Sequence, residues 1–174
     1  TPVVRRGAVR AAVYLKDEAV YKMVAAHLAD DDAGVRRAAS ESLKQVWPAS
    51  RGVVLQALTE MDGVAVSSVL KSIPVGDVEI LDALRSYIQR EVISIRYLRM
   101  LVEPLPTEGR ATKLLISTLK QRISLNEEQL VDAVGLFGNP SAMDLVRKSL
   151  NIGDTSTRAA ALEALETLGD KRIT

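Results

Sequence analysis

Apolar residues recur along this chain at helical intervals. In the stretch TRAAALEALETLGD, Arg158, Ala161, Leu165 and Leu168 follow one another at steps of three or four residues, one face of an α-helix closed by Gly169 and Asp170. Arg5, Ala8, Ala12 and Leu15, then Asp17, open the chain with the same spacing. It returns 31 residues later at Arg36, Ala39, Leu43 and Val46, and again at Leu130, Val134, Phe137, Gly138 and Asn139. Between these copies, Val66, Val69 and Ile73 keep the register until Pro74 stops the helix, and Ile95, Leu98, Val102 and Leu105 keep it after a slip of one residue.

A second class of helix shows the period independently. Leu28, Leu58, Ile88, Leu119 and Leu150 are spaced by 30 or 31 residues, and each has an apolar residue four earlier, at Val24, Val54, Leu84, Leu115 and Val146. Residues four apart share a helical face. Asp17, Ser50, Asp77, Thr107 and the Asn139-Pro140 pair are placed to start these helices, and Asp32, Asp62 and Asp154 to start the others. The chain is thus expected to alternate A helices near 17–29, 50–61, 77–90, 107–121 and 140–150 with B helices near 3–15, 33–47, 63–73, 92–104, 125–137 and 155–168.

An Arg opening the B helix, an Ala three on, a Leu seven on, then Leu-Gly and Asp resembles the HEAT repeat of the short bacterial kind, including the repeats of phycobilin lyase subunits. The resemblance runs the length of the chain. Its motifs are clear at 4–46 and 126–173, while from 63 to 122 apolar spacing alone carries it. It implies an all-α fold, a right-handed α-α superhelical solenoid of about 11 helices in which 1–174 form one array, each pair burying the surplus apolar stripe of the next. Five and a half such pairs would make a rod of roughly 50–60 Å. The missing polar caps at either end lead us to expect a fragment of a longer protein. The ankyrin and tetratricopeptide signatures do not occur.

Composition narrows the chemistry. A net charge of +1, from 23 basic and 22 acidic residues, gives no global pull towards nucleic acid or anionic membrane. The lack of Cys removes disulfides, thiolate metal sites and a Cys nucleophile, and suits a cytoplasmic setting. No apolar run reaches the length of a membrane span. His27 is the only histidine, so a catalytic triad or imidazole metal site would rest on it alone. Deoxyhypusine hydroxylase, a HEAT-repeat enzyme, needs paired His-Glu dipeptides for iron, and this chain has none. Asp30, Asp31 and Asp32 stand where carboxylates cap free helical N–H groups, and no phosphate-binding glycine loop is present. Trp47, before Pro48, reads as a packing plug. Neither an enzyme, a cofactor nor a metal is expected. By resemblance, Arg5, Arg36 and Arg158, with Asp32 and Asp154, would form a ladder of Arg and Asp tying successive turns.

One pattern points to a partner. Positions one and five residues beyond each B-helix reference residue read Arg6 and Arg10, Arg37 and Glu41, Ser67 and Lys71, Arg96 and Met100, Glu128 and Asp132, then Ala159 and Glu163, a stripe running from basic to acidic. In HEAT arrays the B helices resemble an inner, concave wall, so this stripe would line a groove. The segment 85–122, which includes Arg99, adds eight basic against three acidic residues. The candidate partner-binding residues are therefore Arg6, Arg10, Arg37, Lys71, Arg96, Arg99, Glu128, Asp132 and Glu163. The expected function is a scaffold that takes a peptide, a helix or a neighbouring domain. Nucleic-acid binding through 85–122 is the alternative, and a bilin lyase-like subunit the second.

Overall fold

The computed structural model describes residues 1–137; the helices expected near 140–150 and 155–168, and with them Arg158 and Glu163, lie outside the described residues. Among the described residues the chain is all-helical, with seven α-helices and no strand. It divides into two compact units, Thr1–Ile80 and a second that begins at Leu81.

In the first unit every expected helix forms and is stopped by a breaker. α1 spans Pro2–Ala12, α2 Glu18–Ala26, α3 Ala33–Gln45, α4 Arg51–Glu60 and α5 Val64–Ser72, with 3-10 turns at Val13–Leu15, His27–Ala29 and Val78–Ile80. Asp17 starts α2 by accepting the Ala19 N–H at 2.7 Å, and Asp32 starts α3 by accepting the Val35 N–H at 3.0 Å. These carboxylates satisfy helix-end donors and face the positive end of the helix dipole. Ser50 differs from its expected capping role: its hydroxyl donates to the Leu43 carbonyl at 2.6 Å, tying the end of α3 to the start of α4. α5 opens on Gly63 rather than Asp62, because the turn needs a φ of 56° with ψ of −139°, a conformation open to glycine and closed to Asp.

Packing sorts these helices into two layers. α1 packs on α3 and α3 on α5; behind them α2 packs on α4, and each of these also touches the B helix that follows it. Leu28, Leu43 and Leu58 lie between the layers with at most 1% exposure. Each contributes about 1.5–3 kcal/mol by leaving water. Ala38 and Ala39 are fully buried, and so small a surface lets Ser40 donate to the Ser68 carbonyl of α5 at 2.7 Å. α1 departs from the expected register. Val9 is its buried residue, followed by Val13 in the 3-10 turn, while Ala8 is exposed and Leu15 is 71% exposed. Helix α1 is an edge of the layer here, covered only on its α2 and α3 flanks, so the face that Ala39 and Leu43 bury in α3 stays open in α1.

The second unit is built differently. The expected A helix near 77–90 and B helix near 92–104 are one continuous helix, α6, at Leu81–Val102, and those near 107–121 and 125–137 are one helix, α7, at Arg110–Gly135. Neither contains Pro or an interior Gly, so nothing stops the helix between the two expected halves. Pro104, Pro106 and Gly109, whose φ is 90°, separate α6 from α7, and the two pack on each other. Leu84, Ile88, Val92 and Ile95 form a single buried stripe on α6, answered on α7 by Leu130, Ala133 and Val134. Leu115 is 48% exposed and does not act as the core counterpart of Val54.

Candidate functional site

The B-helix layer of the first unit gathers the charges of the stripe. On α3, Arg37, Glu41 and Lys44 recur at steps of four and three; on α5, Val64, Ser67 and Lys71 recur at steps of three and four. Together with Ala33, Gly34, Arg36, Ser40 and Ser68 they line a groove of about 660 Å³. Its floor is of small residues, because α3 and α5 approach closely enough for the Ser40 to Ser68 bond, and its walls are of long cationic side chains.

The cations are unequally committed. Arg36 Nη1 donates to the Asp30 and Asp31 carbonyls at 2.7 and 3.0 Å and so belongs to the turn before α3. Glu41 is shared: Arg37 Nε stands 3.3 Å from one carboxylate oxygen and Arg10 Nη2 of α1 stands 3.6 Å from the other. Arg6 crosses the start of α3 at Gly34, where a Cβ would come within 3.1 Å of its Cδ and within 3.0 Å of Asp32 Oδ1. Lys44 and Lys71 are exposed on the walls. The groove thus holds Arg37, Lys44 and Lys71 against a single carboxylate that two arginines already share.

Two clusters hold turns of the first unit. Asp30 receives Arg5 in a bidentate pair, both contacts at 2.8 Å, and accepts the Asp32 N–H at 2.9 Å. These bonds hold its carboxyl well below the usual carboxylate range, and raise the Arg5 guanidinium in turn. His27 Nδ1 lies 3.4 Å from the same carboxylate. Of the residues of the expected ladder, Arg5 pairs with Asp30, Arg36 bonds to the Asp30 and Asp31 carbonyls, and Asp32 caps α3. In the second cluster Trp47 Nε1 and Arg51 both donate to Asp77, and Arg51 also pairs with Glu79 and lies over the Trp47 ring at 5.6 Å. The Trp47 hydrogen bond is the main reason that Asp77 also titrates below its ordinary value. Trp47 is half-buried and bonded. Sequence reasoning missed Asp30 and Asp77 as anchors; their signal was an Asp 25 or 26 residues after an Arg near the start of a helix.

The remaining stripe residues belong to the second unit. Arg96 and Asp132 are exposed on α6 and α7. Glu128 lines a separate depression of about 640 Å³ on α7 with Lys113 and Lys120. Arg99 is a clip within the hairpin, half-buried and paired with Glu127 at 2.5 Å. The hairpin interior is partly polar: Asn126 and Gln129 are buried, and Asn126 Nδ2 reaches Ser94 Oγ at 3.4 Å. Burial pushes the Tyr87 hydroxyl and the Glu91 carboxyl upward.

Among the described residues no three His, Cys, Asp or Glu side chains are arranged to hold a metal, and no helix is long and apolar enough to cross a membrane. Set against protein-family models, curated proteins and solved structures, the chain matches none of them.

Proposed function

We propose that the chain is a HEAT-like solenoid segment that acts without catalysis, as a scaffold binding a peptide, a helix or a neighbouring domain on the face of its B helices. The single observation that carries this reading is the layer α1, α3, α5, backed by α2 and α4, whose solvent side gathers Arg10, Arg37, Glu41 and Lys71 around one groove. Stacked helix pairs of this kind present extended surfaces suited to a chain-like ligand. The solenoid reading rests on the first unit, since α6 and α7 each run through two of the helices that an array of about 11 would need. Nucleic-acid binding through 85–122 has less support, because Arg85 is paired with Asp82, Arg99 with Glu127, and Arg90 lies over the Tyr87 ring. No aromatic side chain lines the groove to stack on a base or a pigment.

The test is site-specific photocrosslinking in the source cells, with the photoreactive residue at Arg37 or Lys71 and, as control, at Lys22 on α2. The scaffold reading expects one defined protein adduct from the first two positions and none from Lys22. Equal labelling from all three, or no adduct from any, would overturn it.

A further inference from the structure

The geometry points to the groove between α3 and α5 as a site for an acidic, extended protein segment that crosses the B helices; this rests on the scaffold reading and names the chemistry of its ligand. Charge complementarity comes first. Arg37, Lys44 and Lys71 line the walls, and the one opposing carboxylate, Glu41, is shared by Arg37 and Arg10. An incoming carboxylate therefore meets surplus positive charge, and could also take over the contacts that Glu41 now makes at 3.3 and 3.6 Å, both longer than a good charge-assisted hydrogen bond. A cleft of about 660 Å³ lies within the roughly 300–1,000 Å³ usual for ligand sites. Ser40 and Ser68 are its buried lining residues, and Val64 is the one large apolar side chain that lines it.

Spacing fixes the form of the ligand. Packed helices lie about 8–10 Å apart, close to the Debye length of about 10 Å at 0.1 M salt, so the cations of α1, α3 and α5 act jointly only on a ligand that displaces the water between them. A chain in the extended polyproline II form rises about 3.1 Å per residue and repeats every three residues, so every third side chain falls on one side, about 9 Å from the next. Acidic side chains at every third position would then meet Arg10, Arg37 with Lys44, and Lys71 in turn. Nucleic acid fits less well, because the groove has no aromatic platform for bases.

The probe is a fluorescent twelve-residue peptide with Glu at every third position and Ser or Gly between, beside the same peptide with Gln for Glu. Anisotropy would be read on the full chain at low and at physiological salt. The Glu peptide should bind about tenfold or more tightly than the Gln peptide, and lose affinity as salt rises. The double variant Lys44→Glu with Lys71→Glu should weaken binding by about tenfold or more, Lys44→Arg with Lys71→Arg should restore it, and the control Lys22→Glu should change it less than about twofold. Both lysines are exposed, so an unchanged circular-dichroism spectrum and melting curve are expected of each variant. Failure of the Glu peptide to bind, equal losses from the groove and control reversals, or an oligonucleotide that displaces the peptide and binds more tightly would each overturn the proposal. Adducts from Arg37 and Lys71 alongside a peptide that does not bind would sink the acidic ligand and leave the scaffold standing; loss of both would sink both.

Discussion

The first 80 residues and the α6 and α7 hairpin carry the same apolar spacing and turn it into different structures. In the first unit, breakers interrupt the helix at each expected boundary: the left-handed Lys16 before Asp17, the three aspartates at 30–32, Pro48, Gly63, and Pro74 with Gly76. Each turn is then pinned by side chains, as Asp30 is by Arg5 and Asp77 by Trp47 and Arg51. The hairpin has no breaker between its expected halves, and core positions of the two halves fall on one stripe, from Leu84 and Ile88 to Val92 and Ile95. A spacing of three and four residues continues across the junction, so period alone serves a helix pair and a single long helix equally. The hairpin also buries Asn126 and Gln129 while Ile93, Tyr97, Met100 and Leu114 are more than 60% exposed. The first unit exposes Val3, Val4, Leu15 and Met23 as far, but the polar side chains it buries are serines.

Core truncation should separate the two regions most. Leu43→Ala, at a fully buried position of α3, should cost about 2–5 kcal/mol in urea unfolding, through lost contacts and the cavity left behind. Leu115→Ala, at a position that the repeat spacing makes a core site but that stands half-exposed on α7, should stay within about 1 kcal/mol. Comparable costs would show that α7 buries this residue as α4 buries Val54, and the contrast would fail.

Proline tests the continuity of α6 directly. Ile93 is 64% exposed, so Ile93→Pro removes little packing, yet within an unbroken helix it should cost about 3 kcal/mol or more and lower helicity by circular dichroism. Were a separate helix to begin at Val92, Pro at 93 would sit in its first turn and be tolerated. A thermal midpoint close to that of the unsubstituted chain would restore the two-helix reading.

At the turns the expected effect is smaller. Asp32→Ala removes the oxygen that accepts the Val35 N–H and should cost about 1 kcal/mol, while Asp32→Asn should recover most of it. If Ala and Asn behave alike in denaturant titrations, the cap does not hold α3.

Acid should move the two regions in opposite directions. Asp30 and Asp77 are held below their ordinary value of 3.8, so their contributions are present above that value and are lost as pH falls towards their folded values. Glu91 is held above its ordinary 4.5, chiefly by burial, so its ionisation opposes folding at neutral pH and that penalty lifts as pH falls through its raised value. Hydrogen exchange between pH 7 and 3 should show the hairpin gaining protection first, then the first unit losing it below about pH 4. Glu91→Gln should abolish the gain, and Asp30→Asn should flatten the loss; an unaltered pH profile in either variant would refute the assignment of that group.

Much of the first unit was legible. The steps from Val24 to Leu28 and from Val54 to Leu58 name buried residues, and Asp17 and Asp32 cap where they were expected to, because capping is a local event within four residues of chain. The stripe was legible as a set of outward positions, and Arg37, Glu41, Ser67 and Lys71 do share a groove. Lys44 and Ser40 were not, since one lies outside the repeat positions chosen and the other matters only through a carbonyl 28 residues away. Arg99 reads in sequence as a surface cation, and its pairing with Glu127 depends on how α6 and α7 face each other.

Helical character, the period of 30 or 31 residues and the places where the chain could turn follow from local physics: apolar spacing, caps, Gly and Pro act through neighbours within a turn or two. Which flank of α1 is buried, which carboxylate each arginine finds, and whether Leu115 or Leu130 belongs to the core depend on contacts between residues far apart in the chain. Packing chooses among faces that the apolar spacing leaves equivalent, because burial is proportional to the area another element covers and no local rule specifies that element.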